Sequence, residues 1–186
     1  MLTLVAQASA QIEIKRSRFL ATVTPYADFE RTLGQLRRRH AKANHHCTAA
    51  RWLQANGQLA ESAKDDGEPG GTAGRPMLRV LQGGDWVDVG VVVVRYFGGI
   101  KLGTGGLARA YAEAASSALH AAHGIPFEPA TEATFTVSFA AGDRLERALA
   151  SAGVEVLNRE YSQSGVTLRV KGPATRIERL RLAQSE

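Results

Sequence analysis

The feature that most constrains the fold is an unbroken run of apolar residues in the middle of the chain. "VGVVVV", from Val89 to Val94, contains no polar residue and lies between Asp88 and Arg95. β-Branched residues favour strands, and a strand without polar alternation is typical of burial on both faces. The run therefore predicts a central strand covered on both sides. It is far too short to span a bilayer, which needs about 20 apolar residues in a helix.

A glycine-rich turn, "GGIKLGTGG", follows this strand and leads into an alanine-rich helix that ends at Gly124. Unpaired amides and the positive end of the helix dipole at such a helix start can hold an anion. The candidate anion- or RNA-binding residues are Arg95, Gly98, Gly99, Lys101, Gly103, Gly105 and Gly106. The alternative is that the glycines only permit a tight turn and close packing of the helix. Neither a Walker motif nor G-x-G-x-x-G is present.

A second glycine-rich segment, "DDGEPGGTAGRP", is acidic and cannot form the interior of a helix. Its three acids could perform general acid/base chemistry or bind a hard cation through oxygen atoms. They could equally be structural, with a turn at Asp66-Gly67 and with Glu68 capping a helix or paired with Arg75 or Arg95. The sequence favours the structural alternative, and it predicts no metal, no cofactor and no catalytic residue. The candidate residues of this motif loop are Asp65, Asp66, Glu68, Gly71, Thr72 and Arg75.

The residues His45, His46 and Cys47 are adjacent, so their side chains alternate between the two faces of a strand. They therefore cannot all bind one metal ion. Cys47 is the only cysteine, which excludes an intrachain disulfide and suits a reducing compartment. No positively charged region precedes apolar residues at the N-terminus, and we expect a cytoplasmic protein without a membrane segment.

The segment Ile125–Ala133 carries two prolines and no periodicity, which predicts a linker between two domains, residues 1–125 and 131–186. The second domain has the predicted order β-α-β-β-α, a ferredoxin-like pattern that lacks its last strand. The formal net charge is +5, and 15 of the 23 basic residues precede Thr131. This excess favours an anionic partner such as RNA. The basic run Arg37–Lys42 could contact RNA phosphates, or it could complement a helix dipole.

Four segments together resemble the IMPACT/YigZ family. They are "SRF" at Ser17–Phe19, "HHC" at His45–Cys47, "DDGEPGGTAGRPML" and "VVVVRYFGGIKLGTGGLARAY". The resemblance covers roughly residues 1–125, and residues 131–186 are similar to the small domain that bacterial members append. That small domain resembles a domain of elongation factor G.

This resemblance implies an α+β protein of two domains. The first would be a two-layer α/β domain of the ribosomal-protein and small-molecule-kinase superfold, and the second would be ferredoxin-like. Eukaryotic relatives regulate translation under amino-acid starvation, by competing for the activator of the general-control kinase. The family carries no established catalytic residues to transfer.

Two hypotheses follow for the function. The first is a non-catalytic, translation-associated regulatory or binding protein that contacts RNA, the ribosome or a ribosome-bound protein. The second is an enzyme that acts on a phosphorylated small molecule bound at the Gly98–Gly106 turn.

Overall fold

The structure is a computed structural model, and it describes residues 1–183 of the 186-residue chain. The chain divides into two compact units, Met1–Phe127 and a second unit that begins at Glu128. It is mixed α/β, with three separate sheets. None of the helices in residues 1–183 is both long enough and apolar enough to cross a membrane.

The N-terminal unit is built on a five-stranded antiparallel sheet in the order β2-β3-β6-β4-β5. Its strands are β2 (Ala8–Ile14), β3 (Ser17–Pro25), β4 (His45–Leu53), β5 (Leu59–Lys64) and β6 (Val89–Tyr96). The valine-rich run is the central strand β6, and Val91 to Val94 are all fully buried. The expectation of burial on both faces is therefore confirmed.

A separate two-stranded pair joins the ends of this unit. Strand β1 (Leu2–Leu4) pairs antiparallel with β7 (Gly124–Pro126). Ile125 and Pro126 thus form part of a strand, where the sequence predicts the start of a linker.

Helices cover both faces of the five-stranded sheet. Helix α1 (Phe29–Arg39) packs on the face that carries Val92 and Val94. Helices α2 (Gly74–Gly83) and α3 (Gly103–His120) pack on the face that carries Val91 and Val93. The expectation of a two-layer domain is therefore wrong. A strand buried on both faces needs a layer on each side, and α1 supplies the third layer.

The C-terminal unit has the element order β8-α4-β9-β10-α5, as the sequence predicts. These elements are β8 (Ala130–Val137), α4 (Phe139–Ser151), β9 (Glu155–Tyr161), β10 (Val166–Pro173) and α5 (Ala174–Leu182). The antiparallel sheet has the order β8-β10-β9, and Leu168 lies at the centre of a core shared with Leu149 and Ile177. No strand follows α5 within the described residues.

Candidate functional site

One end of the five-stranded sheet gathers most of the residues that the sequence singles out. Strand pairing aligns the start of β4 with the end of β6, since His45 lies opposite Arg95. Arg18, near the start of β3, lies opposite Tyr96 at the end of β6. The acidic loop leaves from the end of β5, and the glycine-rich turn leaves from the end of β6.

The first acid of the motif loop, Asp65, caps helix α2. One carboxylate oxygen accepts hydrogen bonds from the amides of Ala73 and Gly74 at 3.0 and 2.8 Å, and the other accepts from Gly71 at 2.7 Å. Burial alone would raise the pKa of Asp65, but these amides and the nearby Arg75 charge hold it below its usual value. The start of α2 therefore contains its own anion.

The third acid, Glu68, lies at the centre of a buried polar cluster. Arg95 Nη1 donates to Glu68 Oε1 at 2.5 Å, and the Tyr111 hydroxyl donates to the same oxygen at 2.8 Å. His45 Nε2 lies 3.7 Å from it. Of the two partners that the sequence left open for Glu68, the structure selects Arg95.

The second acid, Asp66, ties the loop to β4. Its carboxylate accepts the His46 amide at 2.7 Å, and it lies 3.6 Å from Arg37 of α1. Asp66 and Gly67 both have positive φ, at 47° and 88°, which is the tight turn that the sequence predicts at this dipeptide. All three acids of the loop are thus engaged in structural contacts.

The remaining residues of the HHC motif point to opposite sides of the sheet. The Cys47 thiol donates to the Asp65 carbonyl at 2.9 Å and lies 3.3 Å from the Tyr111 hydroxyl. Burial raises the pKa of Cys47 to about 12, and burial likewise raises that of Tyr111. His46 lies on the α1 side, and burial lowers its pKa. Cys47 is therefore a protonated core residue.

The rest of the motif loop shapes its path into α2. The Thr72 hydroxyl donates to the Pro69 carbonyl at 2.6 Å, and Gly71 has a φ of 78°. Arg75 is exposed at the start of α2. Among the residues that the structure describes, no group of three or more His, Cys, Asp or Glu side chains is placed to hold a metal ion.

The second glycine-rich helix start differs from the first. Helix α3 begins at Gly103, which has a φ of 70°, and its N-cap residue is the apolar Leu102. No side chain in residues 1–183 caps it. Lys101 is exposed beside this helix start and has no salt-bridge partner in the described part of the chain. The first amides of α3 and the Lys101 ammonium are therefore available to an anion.

A pocket of about 460 Å³ opens at this helix start. Its lining combines the end of β6, the start of β4, the motif loop and the first turn of α3, with Asn44, His45, Glu68, Pro69, Arg95, Phe97, Lys101, Leu102, Gly103, Thr104 and Leu107. The structure thus brings together Arg95, Lys101 and Gly103 of the predicted anion-binding set, and it adds Glu68 of the motif loop.

The other predicted glycines, all in the described part of the chain, lie outside this pocket lining. Gly98 packs against the backbone of Arg16 and Ser17, where a Cβ atom would clash. Gly99 has a φ of 84°, and Gly106 packs closely on Leu102. Gly105 is exposed and has room for a Cβ atom. The close contacts of Gly98 and Gly106 fit the alternative to anion binding, in which glycine permits a tight turn and close packing.

Several residues of the site, including Phe97 of the pocket lining, were not selected from the sequence. Tyr111 is fully buried within α3, and His45 and Asn44 line the pocket. Asn44 Oδ1 accepts the Phe97 amide at 2.8 Å and fixes the end of β6. Tyr111 lies four residues after the buried Leu107, so the helical periodicity of α3 could have placed it on the core face.

Charge is unevenly distributed between the two ends of this sheet. Exposed cations cluster at the end described above, and we call six of them the basic end: Lys15, Arg16, Arg18, Arg37, Lys42 and Lys101. At the opposite end, which we call the acidic end, Asp28, Asp85 and Asp88 lie where β3 stops and β6 begins. Asp28 is paired there with Arg31, and Asp85 with the N-terminal amine and Arg51. Exposed positive charge is therefore in excess at the basic end.

Comparison with known proteins gives matches over most of the chain. Residues 15–119 match the family model described as the Impact N-terminal domain. The IMPACT family member YigZ of Escherichia coli is 38% identical over 172 residues, which cover 89% of this chain and 82% of that protein. An IMPACT family member of Thermus thermophilus is 38% identical over 161 residues, 86% of each chain. A crystal structure described as that of a hypothetical protein is 34% identical, with a TM-score of 0.73 over 100% of this chain and 92% of the other.

Proposed function

The chain belongs to the IMPACT family, and on that premise we propose that it is a non-catalytic, translation-associated protein that binds RNA through its basic end. The observation that carries this proposal is the gathering of exposed cations at the basic end of the sheet. At the acidic end, by contrast, Asp28 and Asp85 are paired with cations. Such a one-sided field attracts a polyanion and orients its approach.

The chemistry of the basic end fits a phosphate backbone. Lys15 and Arg16 form the turn between β2 and β3, and Gly98 packs against that turn. The turn therefore lies beside the segment that carries Lys101. Arg18 stacks over the Tyr96 ring, with its guanidinium carbon 4.9 Å from the ring centroid. Exposed cations held on a rigid sheet can contact successive phosphates without reading the base sequence.

The contacts of the motif loop favour binding over chemistry at this end. Asp65 caps α2, Asp66 accepts the His46 amide, and Glu68 is paired with Arg95. A general base needs a carboxylate that is free to reach the substrate. These carboxylates therefore support the enzyme hypothesis less strongly than the exposed cations support the binding hypothesis.

We further propose the finer fold assignment, in which the N-terminal unit has the ribosomal-protein and small-molecule-kinase superfold and the C-terminal unit is ferredoxin-like. The sheet order β8-β10-β9 with both helices packed on the face of Leu168 supports the second assignment. The domain bounds 1–125 and 131–186, and a cytoplasmic location, belong to the same proposal.

The test is the affinity for single-stranded RNA as a function of salt concentration, measured with an oligonucleotide that has hydroxyl groups at both ends. Removing one cation that binds a phosphate should lower the salt slope by about one. We expect this from Arg16→Ala, Lys42→Ala and Lys101→Ala. Arg31→Ala is the matched control, since Arg31 is exposed near the start of α1 at the acidic end.

Cosedimentation with ribosomes separates the possible partners. RNA binding with ribosome association supports a role at the ribosome, and RNA binding alone supports a free RNA partner. The proposal fails if the protein binds neither RNA nor ribosomes at low salt, where phosphate contacts are strongest.

A further inference from the structure

The pocket beside α3 has the size and lining of a small-ligand site. Its volume of about 460 Å³ lies within the range of about 300–1,000 Å³ that holds a single small molecule. Apolar side chains form much of its wall, with Pro69, Phe97, Leu102 and Leu107. The exposed cations of the basic end can contact an RNA backbone along a surface, whereas this concavity has room for one nucleotide unit.

One side of the pocket is prepared for a phosphate group. The first amides of α3 have no side-chain cap within residues 1–183, and Lys101 and Thr104 line the pocket beside them. At the start of α2 the chain itself supplies the anion, because the Asp65 carboxylate accepts hydrogen bonds from three backbone amides. At α3 the described residues supply no such anion, so the phosphate of a ligand can accept these amides.

A second observation, independent of the helix start, points to a ligand in the same place. Arg95 lines the pocket although it is only 5% exposed, and its Nε atom has no hydrogen-bond partner in the described residues. Glu68 neutralises its charge, so Lys101 carries the uncompensated positive charge of the pocket. The site therefore favours a ligand with negative charge at one end.

The lining of the pocket also offers an aromatic surface. Phe97 is 46% exposed, and the Asn44 side chain holds its backbone amide in place. Its ring centroid lies 5.6 Å from the Arg95 guanidinium carbon, which fixes the ring beside the polar cluster. An exposed, well-positioned aromatic ring is a stacking platform for a nucleobase.

We infer that this pocket binds a single 5′-phosphorylated nucleoside, with the phosphate at Lys101 and the α3 amides and the base against Phe97. The inference rests on the proposed function only for the source of this nucleotide, which can be the phosphorylated end of an RNA or a free mononucleotide. Both sources present the same phosphate and base.

The first experiment measures the dissociation constants of adenosine and uridine 5′-monophosphates, the two unphosphorylated nucleosides and inorganic phosphate by isothermal titration calorimetry. We expect each nucleotide to bind at least tenfold more tightly than its nucleoside and than inorganic phosphate. Lys101→Ala should weaken nucleotide binding about tenfold, because it removes a charge-assisted hydrogen bond. Phe97→Ala should weaken it roughly five- to tenfold but leave phosphate binding unchanged, and Phe97→Tyr should restore nucleotide affinity.

Two controls keep this experiment decisive. Arg31→Ala lies at the acidic end and should bind nucleotide as the parent protein does, and thermal melts should show that the Lys101 and Phe97 variants are folded. Equal affinity for nucleotide and nucleoside, or unchanged nucleotide binding by both pocket variants, would overturn the inference.

The second experiment separates this inference from the proposed function. We compare binding of the same RNA with a 5′-phosphate and with a 5′-hydroxyl group, and we add competing mononucleotide. A preference for the phosphorylated end that disappears in Lys101→Ala assigns the pocket to RNA ends. Mononucleotide binding without any RNA binding supports the pocket but contradicts the proposed function. RNA binding with no effect of the end group, and no binding of mononucleotide, contradicts the pocket and leaves the basic end intact.

Discussion

The Glu68 carboxylate and the Arg95 guanidinium meet at 2.5 Å in the interior of the N-terminal unit. Their side chains are only 3% and 6% exposed, so water screens their charges little. The pair joins the motif loop to the central strand β6, and the Tyr111 hydroxyl adds α3 to the same carboxylate oxygen. Loop, sheet and helix are thus joined at one point beneath the candidate site.

Removing either member of this pair should destabilise the fold strongly. A buried charge without its partner costs about 3–5 kcal/mol, because its desolvation is no longer compensated. We expect losses of this order for Glu68→Gln and Arg95→Met in urea unfolding, and the double variant should lose clearly less than the sum of the two. Strict additivity of the two losses would show that the charges do not stabilise each other.

The Asp65 cap predicts a pH-dependent contribution to stability. Asp65→Ala should lower the free energy of unfolding by about 2 kcal/mol and Asp65→Asn by less, because asparagine keeps one acceptor oxygen. The pKa of Asp65 is lower in the folded state than its ordinary value of 3.8. The ionised carboxylate therefore contributes fully above that value, and the contribution disappears as the pH falls through the lowered folded-state pKa.

Urea unfolding of these variants between pH 7 and pH 2.5 measures the effect. The matched control is Asp28→Ala, since the Asp28 side chain precedes α1 without capping it in the described residues, and its carboxylate pairs with the exposed Arg31. We expect it to cost at most about 1 kcal/mol. If the difference between the parent protein and Asp65→Asn stays constant down to pH 2.5, the carboxylate charge is not what stabilises the cap.

Cys47 should report on opening of the N-terminal unit. Its thiol is fully buried and has a pKa of about 12, so it is neither accessible nor ionised in the folded state. We expect no reaction with a thiol reagent at pH 8 under native conditions and full reaction in denaturant. Rapid labelling of the native parent protein would show that the thiol is accessible without unfolding.

Tyr111→Phe should speed this native labelling. The substitution removes a hydroxyl that contacts both Cys47 and Glu68, and it should cost about 1–3 kcal/mol of stability. Tyr161→Phe is a suitable control, since Tyr161 is 71% exposed. Equal labelling rates in the two variants would show that the Tyr111 hydroxyl does not hold the core closed.

The central strand and the glycine-rich start of α3 could be predicted from the sequence because each is a local pattern. Burial of β6 follows from its valines, and the turn at Asp66-Gly67 follows from residues that tolerate positive φ. The pairing of Glu68 with Arg95 was one of three structural alternatives at the level of sequence, beside a helix cap and a pair with Arg75. Choosing between them requires the strand order, which places the end of β6 beside the loop.

The parts that could not be predicted depend on contacts between distant segments. Tyr111 lies 43 residues from Glu68, and His45 lies opposite Arg95 only because β4 pairs with β6. The capping role of Asp65 also has no simple sequence signal. This residue lies nine positions before Gly74, and the loop has to turn back through Gly67 and Gly71, both with positive φ, before the carboxylate reaches the helix start.

Two glycines of the same turn should respond in opposite ways to alanine. A Cβ atom on Gly98 would meet the backbone of Arg16 and Ser17, which cannot move aside as a flexible side chain does. We expect Gly98→Ala to cost at least about 1–3 kcal/mol. Gly105 is exposed in the first turn of α3, and its φ is not positive. A Cβ atom on Gly105 would lie 3.7 Å from a side-chain nitrogen of Arg109, which is an ordinary contact distance. Gly105→Ala should therefore be neutral or stabilise by up to about 1 kcal/mol, because alanine restricts the unfolded chain. Chemical unfolding of both variants measures the difference, and equal losses would show that the turn requires glycine for its backbone freedom rather than for the close approach of β3.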